Sequence, residues 1–165
     1  MKPKPVSESY AVLSHLMGVT DANNVGNIHG GIIMKLVDEA AGLAAIKYSG
    51  RLSVTVGIDR MNFMFPIHLG EVVTFRASVN AAWRTSMEVG VKVEAENPLT
   101  GAVRHTNTAY LTMVSLDQDG HPAPVPPLLA STPAERRRMR EAEMRRANRL
   151  AERAAMLAHE AEPDA

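Results

Sequence analysis

One long helical segment is followed by four successive strand patterns, and this arrangement restricts the fold more than any other feature of the chain. The segment begins after Gly30-Gly31, runs for about 18 residues and contains no proline. A helix that is apolar over most of its circumference has to be surrounded by other elements. The sequence therefore predicts a buried central helix. Its apolar residues recur at helical spacing and are mostly small: Ile33, Leu36, Val37, Ala40, Ala41, Ala44 and Ala45.

The residues after Gly50 change to an alternation of apolar and polar side chains, which is typical of strands with one buried face. Turn-forming residues at 66–70, 83–86 and 97–101 separate four such segments, which cover residues 54–58, 73–80, 88–96 and 106–113. A weaker strand pattern at residues 10–17 precedes the helix. The predicted order is β–α–β–β–β–β. Since hairpin-connected strands form antiparallel sheets, we expect an α+β domain in which one sheet curls around the helix.

Four prolines within residues 122–127 mark the end of this domain, because proline fits poorly into helices and strands. We predict a globular domain at residues 5–120 and an extended, proline-rich connector at residues 121–131. Thr132, Pro133 and Glu135 then provide a helix start signal, a capping box with proline at the first helical position. The following residues are mostly Ala, Arg, Glu, Met and Leu, so an Arg/Glu-rich C-terminal helix is predicted at residues 132–162.

A thin apolar stripe on this C-terminal helix leaves its role open. The stripe can pack on the domain or on another subunit, or the end of the helix can fray. Arginine runs at residues 136–138 and 145–146 suit RNA, acidic lipid or the phosphates of a ligand on a neighbouring subunit, but interleaved glutamates favour a solvated face. An interaction protein acting through this helix is therefore one rival interpretation. The stripe consists of Ala147, Leu150, Ala154 and Leu157.

The overall charge and the cysteine count exclude several classes of function. The 165 residues carry 18 basic and 18 acidic side chains, so no nucleic-acid partner is expected, because charge-driven nucleic-acid binders are basic. The absence of cysteine excludes disulfides and thiolate nucleophiles, and the six histidines lack metal-ligand spacing, so no metal is predicted. No stretch approaches the roughly 18 apolar residues of a membrane span, and the N-terminus does not resemble a signal peptide. We expect a soluble, cytoplasmic protein.

The densest cluster of Gly, Asn and Asp residues lies between Thr20 and Gly31, directly before the helix. The N–H groups at a helix N-terminus favour negative charge, including that of a developing oxyanion. Gly30 and Gly31 lack side chains, so they either allow a ligand close to the backbone or only form a turn. Asp38 follows Gly31 by nearly two helical turns and lies on the same side of the helix. We expect Glu39 to be exposed while Asp38 faces a ligand cleft.

Two separated motifs resemble those of the hotdog-fold acyl-CoA thioesterases, especially the broad-specificity bacterial and the cytosolic brain-type acyl-CoA hydrolases. The resemblance covers about residues 8–118. It implies a hotdog fold, hydrolysis of acyl-CoA to a free acid and CoA, and homodimers that assemble into hexamers as trimers of dimers. It implies no cofactor, since CoA is part of the substrate. The motifs are Asn23-x-x-Gly26-Asn27-x-His29-Gly30-Gly31-x-x-Met34-x-x-x-Asp38 and Met61-Asn62-Phe63-x-x-Pro66-Ile67-x-x-Gly70-Glu71.

The resemblance also assigns roles to individual residues. The catalytic acid of the family falls on Asp38 and the catalytic asparagine on Asn23, and the two are expected to meet across a subunit interface. Asp38 would act as general base or as direct nucleophile, Asn23 would orient water or the carbonyl, and the Gly31 N–H would hold the oxyanion. The main alternative is a non-hydrolytic hotdog protein that binds acyl-CoA as a sensor or carrier, although binding alone does not need both side chains.

The turn at residues 83–86 is the predicted contact for the CoA nucleotide, because the equivalent turn approaches that group in the family. Arg84 and Ser86 are the candidate phosphate ligands, and the alternative is an ordinary hairpin turn. Thr55 and Arg60 are further candidates for binding CoA. His29, which lies within the first motif, is expected to hydrogen-bond the loop.

Overall fold

The computed structural model describes residues 1–160 and contains a five-stranded antiparallel sheet that curls around one long helix, α1 (Gly30–Ser49). The strand order in the sheet is β2–β4–β5–β6–β3, which leaves β2 and β3 as the two edges. The predicted α+β order and the antiparallel sheet are therefore confirmed. The strands are β1 (Lys4–Pro5), β2 (Ala11–Leu16), β3 (Ser53–Ile58), β4 (Val72–Ala82), β5 (Ser86–Asn97), β6 (Ala102–Ser115) and β7 (Leu128–Leu129).

The three central strands are longer than their apolar alternation predicts. Strands β5 and β6 pair from Ser86 with Val114 to Asn97 with Ala102, with one register shift between Val93 and Glu94. Their backbone pairing therefore extends to the turns, where the side-chain pattern is weaker. The sequence pattern also missed β1 and β7, which form a parallel pair of only two residues each. Segments this short carry no periodicity from which a strand can be predicted.

Helix α1 packs against the inner face of the sheet through small side chains. His29 caps its N-terminus, and Gly50 ends it in the left-handed region with a φ of 70°. The buried face is rich in alanine, which lets the sheet approach the helix axis closely, so the prediction of a buried central helix is confirmed. The buried residues of α1 are Ile33, Val37, Ala40, Ala41, Ala44, Ala45 and Tyr48.

The proline-rich segment is fastened to the domain. The hydroxyl of Tyr48, at the end of α1, donates hydrogen bonds to the carbonyls of Pro126 (3.2 Å) and Pro127 (2.9 Å). The amide of Lys4 also donates to the carbonyl of Pro127 at 3.0 Å, beside the β1–β7 pair. Burial raises the pKa of the Tyr48 phenol, so the hydroxyl remains a donor. The segment at residues 121–131 is therefore bound to the body of the domain.

The C-terminal helix α2 (Pro133–Glu160) begins with the predicted capping box. The amide of Glu135 donates to the Thr132 hydroxyl at 3.1 Å, while the Glu135 carboxylate accepts from the amides of Ser131 and Thr132 at 2.8 and 3.0 Å. The last two positions of the predicted helix, 161 and 162, lie outside the described residues. No helix within residues 1–160 is both long and apolar enough to cross a membrane.

Helix α2 packs on the sheet with the buried Ala142 and with arginines, whereas the residues of its apolar stripe are exposed. Arg145 lies over the ring of Tyr110, 3.6 Å from its centroid, and Arg146 lies 4.3 Å from the ring centroid of Trp83. Leu150 and Leu157 of the predicted stripe are more than half exposed. Leu150 borders a cavity that Trp83, Ser86 and Thr112 also line, but the stripe is not buried against the domain.

Candidate active site

The loop before α1 is held by its own polar side chains. The carboxylate of Asp21 accepts from the Gly18 amide at 2.8 Å and lies 3.1 Å from Nε2 of His15. These contacts, the Gly18 hydrogen bond first, hold the pKa of Asp21 below its usual value. The carbonyl of Asp21 also accepts from the His29 amide at 2.8 Å. The loop is thus fixed at the point where it enters the helix.

Asn23 occupies the bend of this loop. Its side-chain oxygen accepts hydrogen bonds from the amides of Val25 (3.0 Å) and Asn27 (3.2 Å), so the carbonyl end of the amide group stabilises the loop. The NH₂ end is the part that can act on a ligand. No hydrogen bond joins Asn23 to Asp38 within residues 1–160 of a single chain.

Asp38 lies in the middle of α1, half-buried, while its neighbour Glu39 is exposed, as the sequence predicts. The hydroxyl of Thr55 on β3 donates a hydrogen bond to Oδ1 of Asp38 at 2.5 Å. Thr55, a predicted CoA contact, is thus brought against the predicted catalytic acid. One oxygen of the carboxylate is bound and oriented, and no hydrogen bond to Oδ2 occurs within residues 1–160.

Gly31, the predicted oxyanion donor, already has a hydrogen-bond partner. Its amide donates to Nδ1 of His29 at 2.9 Å. His29 is therefore the N-cap of α1 and hydrogen-bonds the loop, as expected. A substrate oxygen at this position has to share the N–H group with the imidazole or displace the imidazole.

A cavity of about 370 Å³ lies beside the helix N-terminus and connects the two sequence motifs. Asn23 and Gly30 line it on one side, and Phe63 and Phe65 line it on the other. Phe63 packs directly over Gly30, because a Cβ atom built on that glycine would lie 3.4 Å from the ring. The aromatic rings give the cavity an apolar wall beside polar loop atoms.

Glu71 and Arg104 form an ion pair beside Pro66, which lines the same cavity. Arg104 donates to both carboxylate oxygens of Glu71, at 2.5 and 2.6 Å, and to the carbonyl of Pro66 at 2.7 Å. The hydrogen bonds from Arg104 hold the pKa of the buried Glu71 below its usual value. Glu71 of the second motif therefore has a structural role, which its position in the sequence did not indicate.

Two of the remaining CoA candidates, Ser86 and Arg60, lie beside α2. Ser86 lines a cavity of about 170 Å³ together with Arg146 and Arg149, and Arg60 lines a neighbouring cavity that also includes Arg149. Arg84 is exposed in the turn between β4 and β5. The structure thus brings Ser86 and Arg60 close to a shared arginine of α2, a proximity that the sequence did not indicate.

A possible metal-ligand group occurs in the turn after β6. Ligand atoms of Asp117, Asp119 and His121 lie within 4.8 Å of one another. The Asp117 carboxylate accepts from the backbone amides of Asp119 (3.0 Å) and His121 (2.9 Å), which is the arrangement of a self-capped turn. These hydrogen bonds explain why the three side chains converge.

The chain matches the model of the Thioesterase superfamily over residues 25–102. The VdlD protein of Helicobacter pylori is 38% identical over 127 residues, which cover 77% of this chain and 72% of the relative. The cytosolic acyl coenzyme A thioester hydrolase of Rattus norvegicus is 37% identical over 142 residues, or 85% of this chain. The chain spans 37% of that longer relative.

Solved structures with the same fold include a hexameric acyl-CoA thioesterase, with a TM-score of 0.89 and 36% identity over 94% of this chain and 99% of that chain. An acyl-CoA hydrolase from Staphylococcus aureus, in complex with butyryl coenzyme A, coenzyme A and coenzyme A disulfide, has a TM-score of 0.85. It is 29% identical, and the match covers 96% of this chain and 99% of that chain.

Three variants of the Staphylococcus aureus hydrolase are also similar in structure, and in them alanine replaces an asparagine, an aspartate or a threonine. Those three positions are separated by 15 and 17 residues, the spacing of Asn23, Asp38 and Thr55 in this chain. The hotdog fold predicted from the motifs is confirmed by these structures. Because a relative is 38% identical over most of its own length and the family model matches the same region, this chain belongs to the hotdog-fold Thioesterase superfamily.

Proposed function

We propose that this chain is an acyl-CoA thioesterase that hydrolyses acyl-CoA to a free carboxylic acid and CoA, with Asp38 as general base. The observation that carries the proposal is the half-buried carboxylate of Asp38, oriented by the Thr55 hydroxyl at 2.5 Å. Support comes from the shared fold and from the spacing of Asn23, Asp38 and Thr55, which matches the three substituted positions of the Staphylococcus aureus hydrolase.

The chemistry requires a base, a water and a site for the oxyanion. Oδ2 of Asp38 takes a proton from water while the water oxygen attacks the thioester carbonyl carbon. The tetrahedral intermediate collapses, the carbon–sulfur bond breaks, and the CoA sulfur takes a proton from the protonated Asp38. The products are the free acid and CoA, so no cofactor or metal is proposed.

The helix N-terminus supplies the oxyanion site in this proposal. The Gly31 N–H points out of the first turn of α1, where the helix dipole also favours negative charge. His29 holds this N–H in the free enzyme. The carbonyl oxygen of the substrate becomes a stronger acceptor as its negative charge develops, so it can compete with the imidazole for this N–H in the transition state.

Asn23 reaches the reaction from a second subunit. The exposed apolar side chains of β3 and the adjoining loop suit a subunit interface, because large apolar groups are rarely clustered on a free surface. The two similar enzymes named as hexameric support assembly of the dimers into a hexamer. The exposed residues are Val54, Val56, Ile58, Phe63, Met64 and Phe65.

Arg84, Ser86 and Arg60 are proposed to contact the nucleotide end of CoA, whose phosphates suit arginine and hydroxyl donors. The arrangement of Ser86 and Arg60 beside arginines of α2 supports this assignment. A cytoplasmic location is proposed because acyl-CoA is the substrate and the Rattus norvegicus relative is named as cytosolic.

A panel of short, medium and long acyl-CoAs with a thiol-trapping dye tests the activity. We expect the wild-type protein to release CoA, and Asp38→Asn to remove turnover while the unfolding temperature stays close to wild type. Glu39→Gln is the matched control, because it neutralises the adjacent exposed carboxylate. Binding of CoA esters without release of CoA by the wild type would instead support the acyl-CoA sensor or carrier.

Mixed oligomers test the contribution of two subunits to one site. Asp38→Asn and Asn23→Ala chains are co-expressed with different tags, and hybrids are purified through both tags. A two-fold dimer with sites shared between subunits contains one fully wild-type site per hybrid, so about half of wild-type activity returns. Hybrids that remain as inactive as either parent would place both residues of a site in the same subunit.

A further inference from the structure

The outer face of the sheet contains a carboxylate that α2 covers completely. Glu88 of β5 has no solvent-exposed surface. Arg145 donates to it at 2.6 Å, and Arg149, one helical turn later, lies 3.3 Å from its other oxygen. The amide of Asn80 donates a further hydrogen bond at 3.3 Å. A buried charge requires partners of this kind, so α2 is fixed to the sheet at this point.

Arg149 has a second carboxylate partner, which lies directly after another strand. Nη1 of Arg149 lies 2.7 Å from Oδ2 of Asp59, and this is the shortest contact of that guanidinium in residues 1–160. Asp59 directly follows β3, and its amide donates to the carbonyl of Tyr110 at 2.9 Å. Arg149 therefore connects β5, in the centre of the sheet, to the end of the edge strand β3.

The end of β3 is adjacent to the groups proposed to act on the substrate. Thr55, which orients Asp38, lies on β3 four residues before Asp59. The irregular segment 60–66 starts directly after Asp59 and carries Phe63, which packs over Gly30 beside the cavity. Within one chain β3 pairs only with β6, so the ion pair at its end adds a second attachment to the domain.

We infer that Asp59 and Arg149 are positioning residues for acyl-CoA hydrolysis: the ion pair fixes the end of β3, and with it Thr55 and the segment 60–66, relative to α1. The inference rests on the proposed function. In this inference α2 both covers the outer face of the sheet and, through Arg149, helps to position the residues of the active site.

Asp59→Asn is the decisive variant, because Glu88 keeps both arginines and the fold keeps its buried ion pair. We expect kcat to fall about tenfold, since a small displacement of an aligned group lowers the rate strongly. We expect the unfolding temperature to stay close to wild type, and KM to change less than kcat, although Asp59 lines the cavity proposed for the CoA nucleotide. Arg149→Gln should lower kcat similarly, Arg149→Lys should restore part of it, and the double variant Asp59→Asn/Arg149→Gln should be no slower than the slower single variant.

Arg137→Gln is the matched control, since Arg137 pairs with Glu141 on the exposed side of the same helix. A wild-type protein that releases no CoA overturns the proposed function itself. An active wild type with kcat unchanged in Asp59→Asn overturns only the positioning inference. A rise in KM with unchanged kcat also overturns it, because that result assigns the pair to substrate binding.

Discussion

The hydroxyl of Thr55 and the carboxylate of Asp38 are joined by a hydrogen bond of 2.5 Å that links the edge strand β3 to the middle of α1. The same hydroxyl lies 3.2 Å from the sulfur of Met113 on β6. Thr55 therefore has a defined position between the sheet and the helix. A carboxylate held in this way presents its second oxygen in one direction, which a general base requires.

Replacing Thr55 with valine should show whether the Thr55 hydroxyl orients Asp38, because the packing of the side chain at position 55 is kept. Valine has nearly the same shape and no donor, so we expect kcat of acyl-CoA hydrolysis to fall about tenfold to a hundredfold. Thr55→Ser keeps the hydroxyl and should retain most of the activity. Steady-state kinetics with one acyl-CoA, together with thermal unfolding, measures both effects. Wild-type kcat in Thr55→Val would show that the hydrogen bond does not orient the base.

The contact between His29 and Gly31 leads to a prediction about stability. His29→Ala removes the N-cap of α1 and should lower the free energy of unfolding by about 1 kcal/mol. His29→Asn should restore it, because asparagine is a good N-cap. Urea unfolding measures the difference. The Gly31 amide loses its partner in His29→Ala, and in His29→Asn it can be shared with the substrate as in the wild type, so hydrolysis should persist below the unfolding temperature. Loss of turnover in His29→Ala at unchanged stability would assign His29 to the chemistry.

The Glu71–Arg104 pair should make stability depend on pH. The pKa of Glu71 in the folded state is held below its usual value of 4.5, mainly by hydrogen bonds from Arg104. The unfolded chain thus takes up this proton more readily, and the stabilisation is complete above the usual pKa and is lost as the pH falls through the lowered one. Glu71→Gln should cost about 2 kcal/mol at neutral pH, where the carboxylate is charged.

Urea unfolding of wild type and Glu71→Gln between neutral and acid pH checks this prediction. The difference in the free energy of unfolding should shrink as the wild-type carboxylate is protonated. Glu141→Gln is the control, because Glu141 forms an exposed pair with Arg137 on α2. A difference that stays constant with pH would mean that Glu71 stabilises the fold through shape alone.

Local patterns were sufficient to predict the central helix and the five main strands, because a segment with one buried face has apolar residues at regular intervals. Helical geometry was compatible with an exposed Glu39 beside a less exposed Asp38, but the role of Asp38 followed from the resemblance to the family. The capping box of α2 at Thr132 and Glu135 was also predictable, because all of its hydrogen bonds join residues within five positions.

Contacts between distant segments were not predictable in this way. Arg149 and Asp59 lie 90 positions apart, and neither has a neighbour in the sequence that indicates the other. The apolar stripe on α2 left the contacts of the helix open, and it did not indicate that Arg145 and Arg149 bind the sheet. These arginines bind the buried carboxylate of Glu88 on the outer face of the sheet. Because Glu88 is a polar residue in an alternating strand pattern, the sequence predicted that its side chain would be exposed.

The burial of Glu88 leads to different expectations for two changes in α2. Arg145→Met keeps the helix over the carboxylate and removes its closest partner, so we expect a loss of about 3 kcal/mol in the free energy of unfolding. Adding Glu88→Gln should recover part of this loss, because the buried charge is then absent. Deleting residues 151–165 leaves both arginines in place and should change stability by less than about 0.5 kcal/mol. Urea unfolding of the three variants measures these values, and a deletion that costs as much as Arg145→Met would contradict the importance of the ion pair.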